Sequence, residues 1–176
     1  MFMNRVRNLV LALMAVILSG AIYFGFQTQG SATSLEAQSQ QAIPLEVALS
    51  NGKPTLTEFY ADWCTSCQTM AKDLAVIKRK YADQVNFAML NVDNSKWLPE
   101  VLRYRVDGIP HFVFLNEAGE AIAQAIGEQP RTILEANLAA LLQGLALPYA
   151  RATGQVSALE AGFRPSPVAD PRGHGG

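Results

Sequence analysis

Two cysteines, Cys64 and Cys67, are the only thiols in the chain, and they stand three apart in the stretch LTEFYADWCTSCQTM at residues 56–70. At a helix start, that spacing lets two sulfurs close a small disulfide ring without moving much backbone. It is also one half of a structural zinc knuckle, but no further cysteine supplies the other half. A bridge around so short a loop removes little entropy from the unfolded chain, so stabilisation is a poor reason for it. Reversible oxidation suits the pair better. The unpaired amides and the dipole of a helix start favour a thiolate, which makes Cys64 the attacking sulfur, while Cys67, one turn further in, resolves the mixed disulfide. Both steps need access, so the pair is expected to lie exposed at the end of a strand. Trp63 beside it offers an apolar contact surface to a partner.

Thr65 and Ser66, between the thiols, carry no charge and offer at most a hydrogen bond. A modest lowering of the Cys64 pKa follows, and with it a reductant or a mid-potential enzyme. Glu58 sits inside the strand leading to the loop. A buried carboxylate is costly unless paired, so Glu58 either points to an edge or is held protonated near the thiols. Held there, it takes the Cys67 proton through water in the second displacement. Asp62 reads as loop surface. Apart from His174, His111 is the only histidine; a structural or surface role competes with a contact near the cysteines. With two cysteines it makes only an incomplete zinc site, and no metal site is expected. Soft thiolates also suit Cu(I), so a copper- or haem-handling binding module is the non-enzymatic rival.

The elements that must position these groups can be read from the periodicity. Residues 55–60 are short and rich in β-branched and aromatic side chains, a buried strand. Met70, Leu74, Ile77 and Tyr81 recur at helical spacing after the cysteines. A second strand runs from 85 to about 92. Ser95 is read as a helix N-cap, with Leu98, Val101 and Leu102 inward and Pro99 in the first turn. Residues 106–110 turn into the strand HFVFL at 111–115; residues 116–119 connect to a strand at 120–126, which Gly127 ends. A last helix runs from Pro130 to Gln143, and Pro44 opens a short helix ahead of the first strand. Helices between the early strands and a hairpin late imply an α/β fold, a small mixed sheet with helices on both faces.

The flanks differ. Arg5 and Arg7 precede eighteen residues, 9–26, without an ionisable group except the Tyr23 phenol, about 27 Å as a helix and close to a bilayer's hydrocarbon thickness. This predicts a transmembrane anchor over 1–26, with the short N-terminus cytoplasmic and the rest translocated. A cleavable signal segment, with small residues at 19–21 or 30–32, is the alternative. Residues 27–42 read as a flexible linker, 43–147 as the folded domain and 148–176 as an extension expected to be disordered. Charged residues make up only 16% of the chain and the net charge is -1, which gives no reason to expect nucleic acid as a partner.

The combination of YADWCTSCQTM with GIPHFVFLN resembles the thioredoxin superfamily, and more narrowly the membrane-anchored thioredoxin-like proteins of cyanobacterial and chloroplast thylakoids. The resemblance covers about residues 44–145. It implies a thioredoxin-like fold with Cys64 as surface nucleophile, Cys67 as buried resolving thiol and Glu58 at the buried-acid position. Pro110 matches the family's cis-proline, although base rates alone leave that bond trans. Ile109 before it matches the residue whose backbone pairs with substrate peptide. Trp63 matches the tryptophan before the first cysteine and Gly127 the glycine bordering the substrate groove, and His111 replaces a common threonine after the proline, where it contacts the redox site or selects partners. Met89 stands where a lysine usually neighbours the acid, and losing that cation should raise the acid's pKa. Lys72 stands in place of a helix-kinking proline.

The resemblance further implies a single-pass protein of the thylakoid or inner membrane with its redox domain in the lumen or periplasm. It would reduce disulfides of proteins there, apocytochromes with Cys-x-x-Cys-His haem sites included. No nicotinamide or flavin motif is present and no cofactor is expected, so electrons would arrive from a transmembrane thiol carrier of the CcdA type. A disulfide-forming oxidant is the alternative enzyme.

Overall fold

The computed structural model describes residues 2–159. Its centre is β1 (Thr55–Tyr60), paired on one side with parallel β2 (Asn86–Asn91) and on the other with antiparallel β4 (His111–Leu115). β5 (Ala121–Ile126) continues antiparallel to β4, and β6 (Arg151–Thr153) adds parallel to β5, giving the order β2-β1-β4-β5-β6. Every residue of β1 and β4 is buried, as expected of strands covered on both faces. This is the expected thioredoxin-like mixed sheet.

The strands' alternation sorts the core into two clusters. Phe59, Val113, Leu115, Ala88 and Leu90 face one side, with Leu45 of α3 (Leu45–Ala48) and Val101 of α5 (Leu98–Arg103). Leu56, Phe112, Phe114, Ala123 and Ala125 face the other, under α4 (Thr65–Tyr81) and α6 (Arg131–Leu142). On α4, Met70, Leu74, Ile77 and Tyr81 point inward as their spacing predicts. Burying each contributes about 1.5–3 kcal/mol, which fixes the helix, and its first turn, against the sheet. α4 runs unbroken through Lys72. Asn94, not Ser95, caps the next segment: its Oδ1 accepts from the Lys96 amide, so a short 3₁₀ turn over Ser95–Trp97 precedes α5.

Outside this core the structure departs from expectation in two places. Residues 27–42 are not a free tether. α1 (Phe2–Ala32) continues past its apolar part, and α2 (Leu35–Gln41) is capped by Ser34. Leu35 and Gln38 are buried, and the Gln38 amide donates to Ala71 O of α4 at 2.7 Å. One aliphatic and one amide in a polar stretch were enough to dock it. Residues 149–159 are likewise ordered: they form β6 and then β7 (Ser157–Ala158), which pairs antiparallel with β3 (Gly108–Ile109). The rest of the expected disordered extension lies outside the described residues. Within α1, Met3–Tyr23 is long and apolar enough to span a membrane, with a mean hydropathy of 1.9.

Candidate active site

β1 delivers the chain through Ala61, Asp62 and Trp63 to Cys64, which caps α4. Its Sγ accepts a hydrogen bond from the Cys67 amide at 3.0 Å and is bonded to Cys67 Sγ, with Cα atoms 5.2 Å apart. The first turn of α4 holds no acidic side chain and the last holds Lys78, Arg79 and Lys80. Charge along the helix therefore complements its dipole, and nothing acidic in that turn opposes a thiolate at Cys64 once the bridge is reduced. Trp63 is half-exposed, and its indole N–H donates to the Asp93 carboxylate at 3.0 Å, which fixes the ring beside the disulfide.

Cys64 itself is not exposed. Both cysteines are fully enclosed in the cluster that also holds Tyr60, Ala61 and Ile109, with Leu159 packed against it. The expected open sulfur is thus covered, and Leu159 of the C-terminal segment packs on the cluster that encloses it.

The Ile109–Pro110 bond is cis, although base rates favour trans. Pro110 O accepts from the Gly127 amide at 2.7 Å, which brings the end of β5 to the same edge. Gly127 has φ 80°, and a Cβ there would meet the Gly154 carbonyl, so no other residue fits without displacing that backbone.

Glu58 is buried under α4, opposite Met89 of β2 and Phe112 of β4. The loss of a cation expected from Met89 does not occur, because α4 supplies another. Lys78 Nζ lies 3.3 Å from Glu58 Oε2 and donates to Met89 Sδ at 3.0 Å. Sequence reasoning missed Lys78 because its long side chain carries the charge from the helix to the sheet, which helical spacing does not show. Glu58 Oε1 has no partner. Burial raises the carboxyl's pKa above its ordinary value, and Lys78 opposes that rise.

His111 is fully buried, and its expected contact with partners is not available in this structure. Its Nε2 pairs with Gln124 Oε1 at 3.0 Å and its ring meets Phe59 edge-on, because β4 register sets it opposite Phe59 and Ile126. Burial lowers its pKa, against the Gln124 hydrogen bond and the Asp107 charge. Among the described residues no three His, Cys, Asp or Glu side chains converge as a metal cluster.

The sheet thus presents a bridged Cys-x-x-Cys at a helix start, in one cluster with the residue before a cis-proline, and the family model for thioredoxin matches residues 37–140. The chain belongs to the thioredoxin family. It is 61% identical to the thiol:disulfide interchange protein TxlA homolog of Synechocystis sp., over 97% of this chain and 95% of that one. It is 48% identical to TxlA of Synechococcus elongatus, over 98% and 92%. The chloroplastic thioredoxin-like protein HCF164 of Arabidopsis thaliana matches at 44%, over 94% of this chain and 61% of its own length. The redox-capable pair and this kinship make the chain a thiol-disulfide oxidoreductase of the TxlA and HCF164 group.

Proposed function

We propose that the chain is a membrane-anchored protein-disulfide reductase. The observation that carries this reading is the Cys64–Cys67 bridge on the first turn of α4, next to the Ile109–Pro110 edge. The Cys64 thiolate attacks a substrate disulfide, forming a mixed disulfide and releasing one substrate thiolate. The Cys67 thiolate then attacks Cys64 Sγ, restoring the 64–67 bridge and releasing the second. Two electrons pass to the substrate and two protons are taken up there. Glu58, through water, accepts the Cys67 proton; Trp63, Ile109, Pro110 and Gly127 border the site where the substrate backbone lies. His111 sets the packing of β4 behind that border.

The apolar span at Met3–Tyr23, with Arg5 and Arg7 at its N-terminal end, anchors the domain and puts it on the translocated side, the lumen of a thylakoid or the periplasm. Kinship to a chloroplastic protein and to cyanobacterial ones supports the thylakoid. Electrons to re-reduce the pair then come from a transmembrane thiol carrier of the CcdA type, and apocytochrome cysteines are the substrates proposed. The Cys64–Cys67 potential, measured in a dithiothreitol redox buffer, tests the direction. A value near about -270 mV supports a reductase, and one near about -120 mV would make the chain an oxidant.

A further inference from the structure

Gly108 and Ile109 form a short strand edge beside the cysteines, and the chain's own C-terminal segment already occupies it. β7 pairs there antiparallel, with Ala158 opposite Gly108 and Ser157 opposite Ile109. The route to this edge is anchored. The Gly154 amide donates to Ile126 O and the Glu128 amide to Gln155 O, both at 2.7 Å. A Cβ on Gly127 would collide with the Gly154 carbonyl, and one on Gly154 with the Glu128 carbonyl, so the crossing needs two bare α-carbons. Val156 then lies against Gly108, 3.1 Å from where a Cβ would stand. Leu159 follows and packs on the cluster that holds Cys64, Cys67 and Ile109. Cys64 ends up fully enclosed, yet its chemistry requires a partner's sulfur to reach it.

We propose that residues 154–159 are a strap that occupies, within the same molecule, the strand position a substrate peptide must take, so that a partner's disulfide reaches Cys64 only by displacing it. This rests on the thiol-disulfide reading above and adds its regulation. An extended peptide joins a strand edge through its backbone and is selected by its side chains. The strap's own sequence, Val156-Ser157-Ala158-Leu159, therefore states what the edge accepts: small uncharged residues opposite Gly108 and Ile109, then an aliphatic one against the cysteine cluster. Being tethered, the strap competes at an effective concentration on the order of millimolar, which screens out weakly matching peptides.

The test uses the full-length chain in detergent micelles. Cys67→Ala leaves Cys64 as a lone thiol, and its alkylation by iodoacetamide is followed with and without Leu159→Asp. The strap predicts that Leu159→Asp speeds alkylation about tenfold or more, equivalent to about 1.4 kcal/mol. A synthetic peptide of residues 153–160 added in trans should slow it again, and the same peptide carrying Leu159→Asp should not. Ser157→Pro opens the strap by a second route, and hydrogen exchange across Gly108–Ile109 reports its release while β1 and β4 exchange reports an intact fold. With both cysteines present, Leu159→Asp should lower the KM for insulin reduction and leave kcat unchanged. Equal alkylation and equal exchange in all forms overturn the strap, even where insulin is reduced normally and the reductase reading stands. Faster alkylation without insulin reduction by any form keeps the strap and removes that reading.

Discussion

Replacing Glu58 by Gln keeps the side chain's volume and removes its titration. In the fold the carboxyl is buried, with Oε1 unpartnered and only Lys78 at 3.3 Å to favour its charge. Burial wins, so the folded pKa lies above the unfolded one. A raised acid means the fold holds a proton that the unfolded chain has released. The associated stability is fully present below the unfolded pKa, near 4.5, and is lost as pH rises through the folded value. Within that window the loss runs at up to about 1.4 kcal/mol per pH unit. Glu58→Gln should therefore match the wild type near pH 4 and gain on it as pH rises, reaching a constant lead once the native carboxyl is ionised. Lys78→Met removes the one opposing charge and should extend the wild-type decline to higher pH. Urea unfolding of the full chain in mild detergent, followed by the fluorescence of Trp63 and Trp97 at intervals from pH 4 to 9, measures the difference. Parallel curves for wild type and Glu58→Gln would show that the carboxyl is not held above its ordinary pKa and would remove its assignment as acceptor of the Cys67 proton.

Two further outcomes follow from the buried polar groups. His111, its pKa depressed by burial, must be charged on acid unfolding, so its contribution is present above about pH 6.5 and is lost as pH falls through the folded value. His111→Gln should abolish that component, seen as a smaller drop in urea midpoint between pH 7.5 and 5.5. Gln38→Ala deletes the bonds to Ala71 O and Thr33 O. It should cost about 1–2 kcal/mol and expose the 33–43 segment to limited proteolysis without changing the Cys64–Cys67 potential.

What the sequence made legible is what local pattern carries. The short β-branched and aromatic run at residues 55–60, the helical spacing of Met70, Leu74, Ile77 and Tyr81, and the turn residues at 116–119 each dictate one element. The Cys-x-x-Cys and Ile109-Pro110 could be placed because the elements before them were short and unambiguous. Lys78 was not legible, since its role depends on a side chain reaching across to β2 and β1 rather than on its helical position. Nor was the docking of α2, where Leu35 is buried in the core and the Gln38 amide meets one carbonyl of α4. The segment at 151–159 has too few large apolar residues to announce strands. It is ordered by sheet edges already in place, which no local pattern in the segment announces. Cys64 is enclosed in a cluster drawn from segments far apart in the chain, and Leu159 of this segment is one of the residues packed against that cluster.

The division of labour between the two sulfurs is tested most directly in the native membrane by disulfide trapping. With Cys67→Ala, Cys64 can attack but cannot be released, so the chain should accumulate as mixed disulfides with other proteins, reversible by dithiothreitol and absent from Cys64→Ala. Trapping that is equal in the two variants, or absent from Cys67→Ala under conditions where the wild type turns over, would contradict attack by Cys64 and resolution by Cys67.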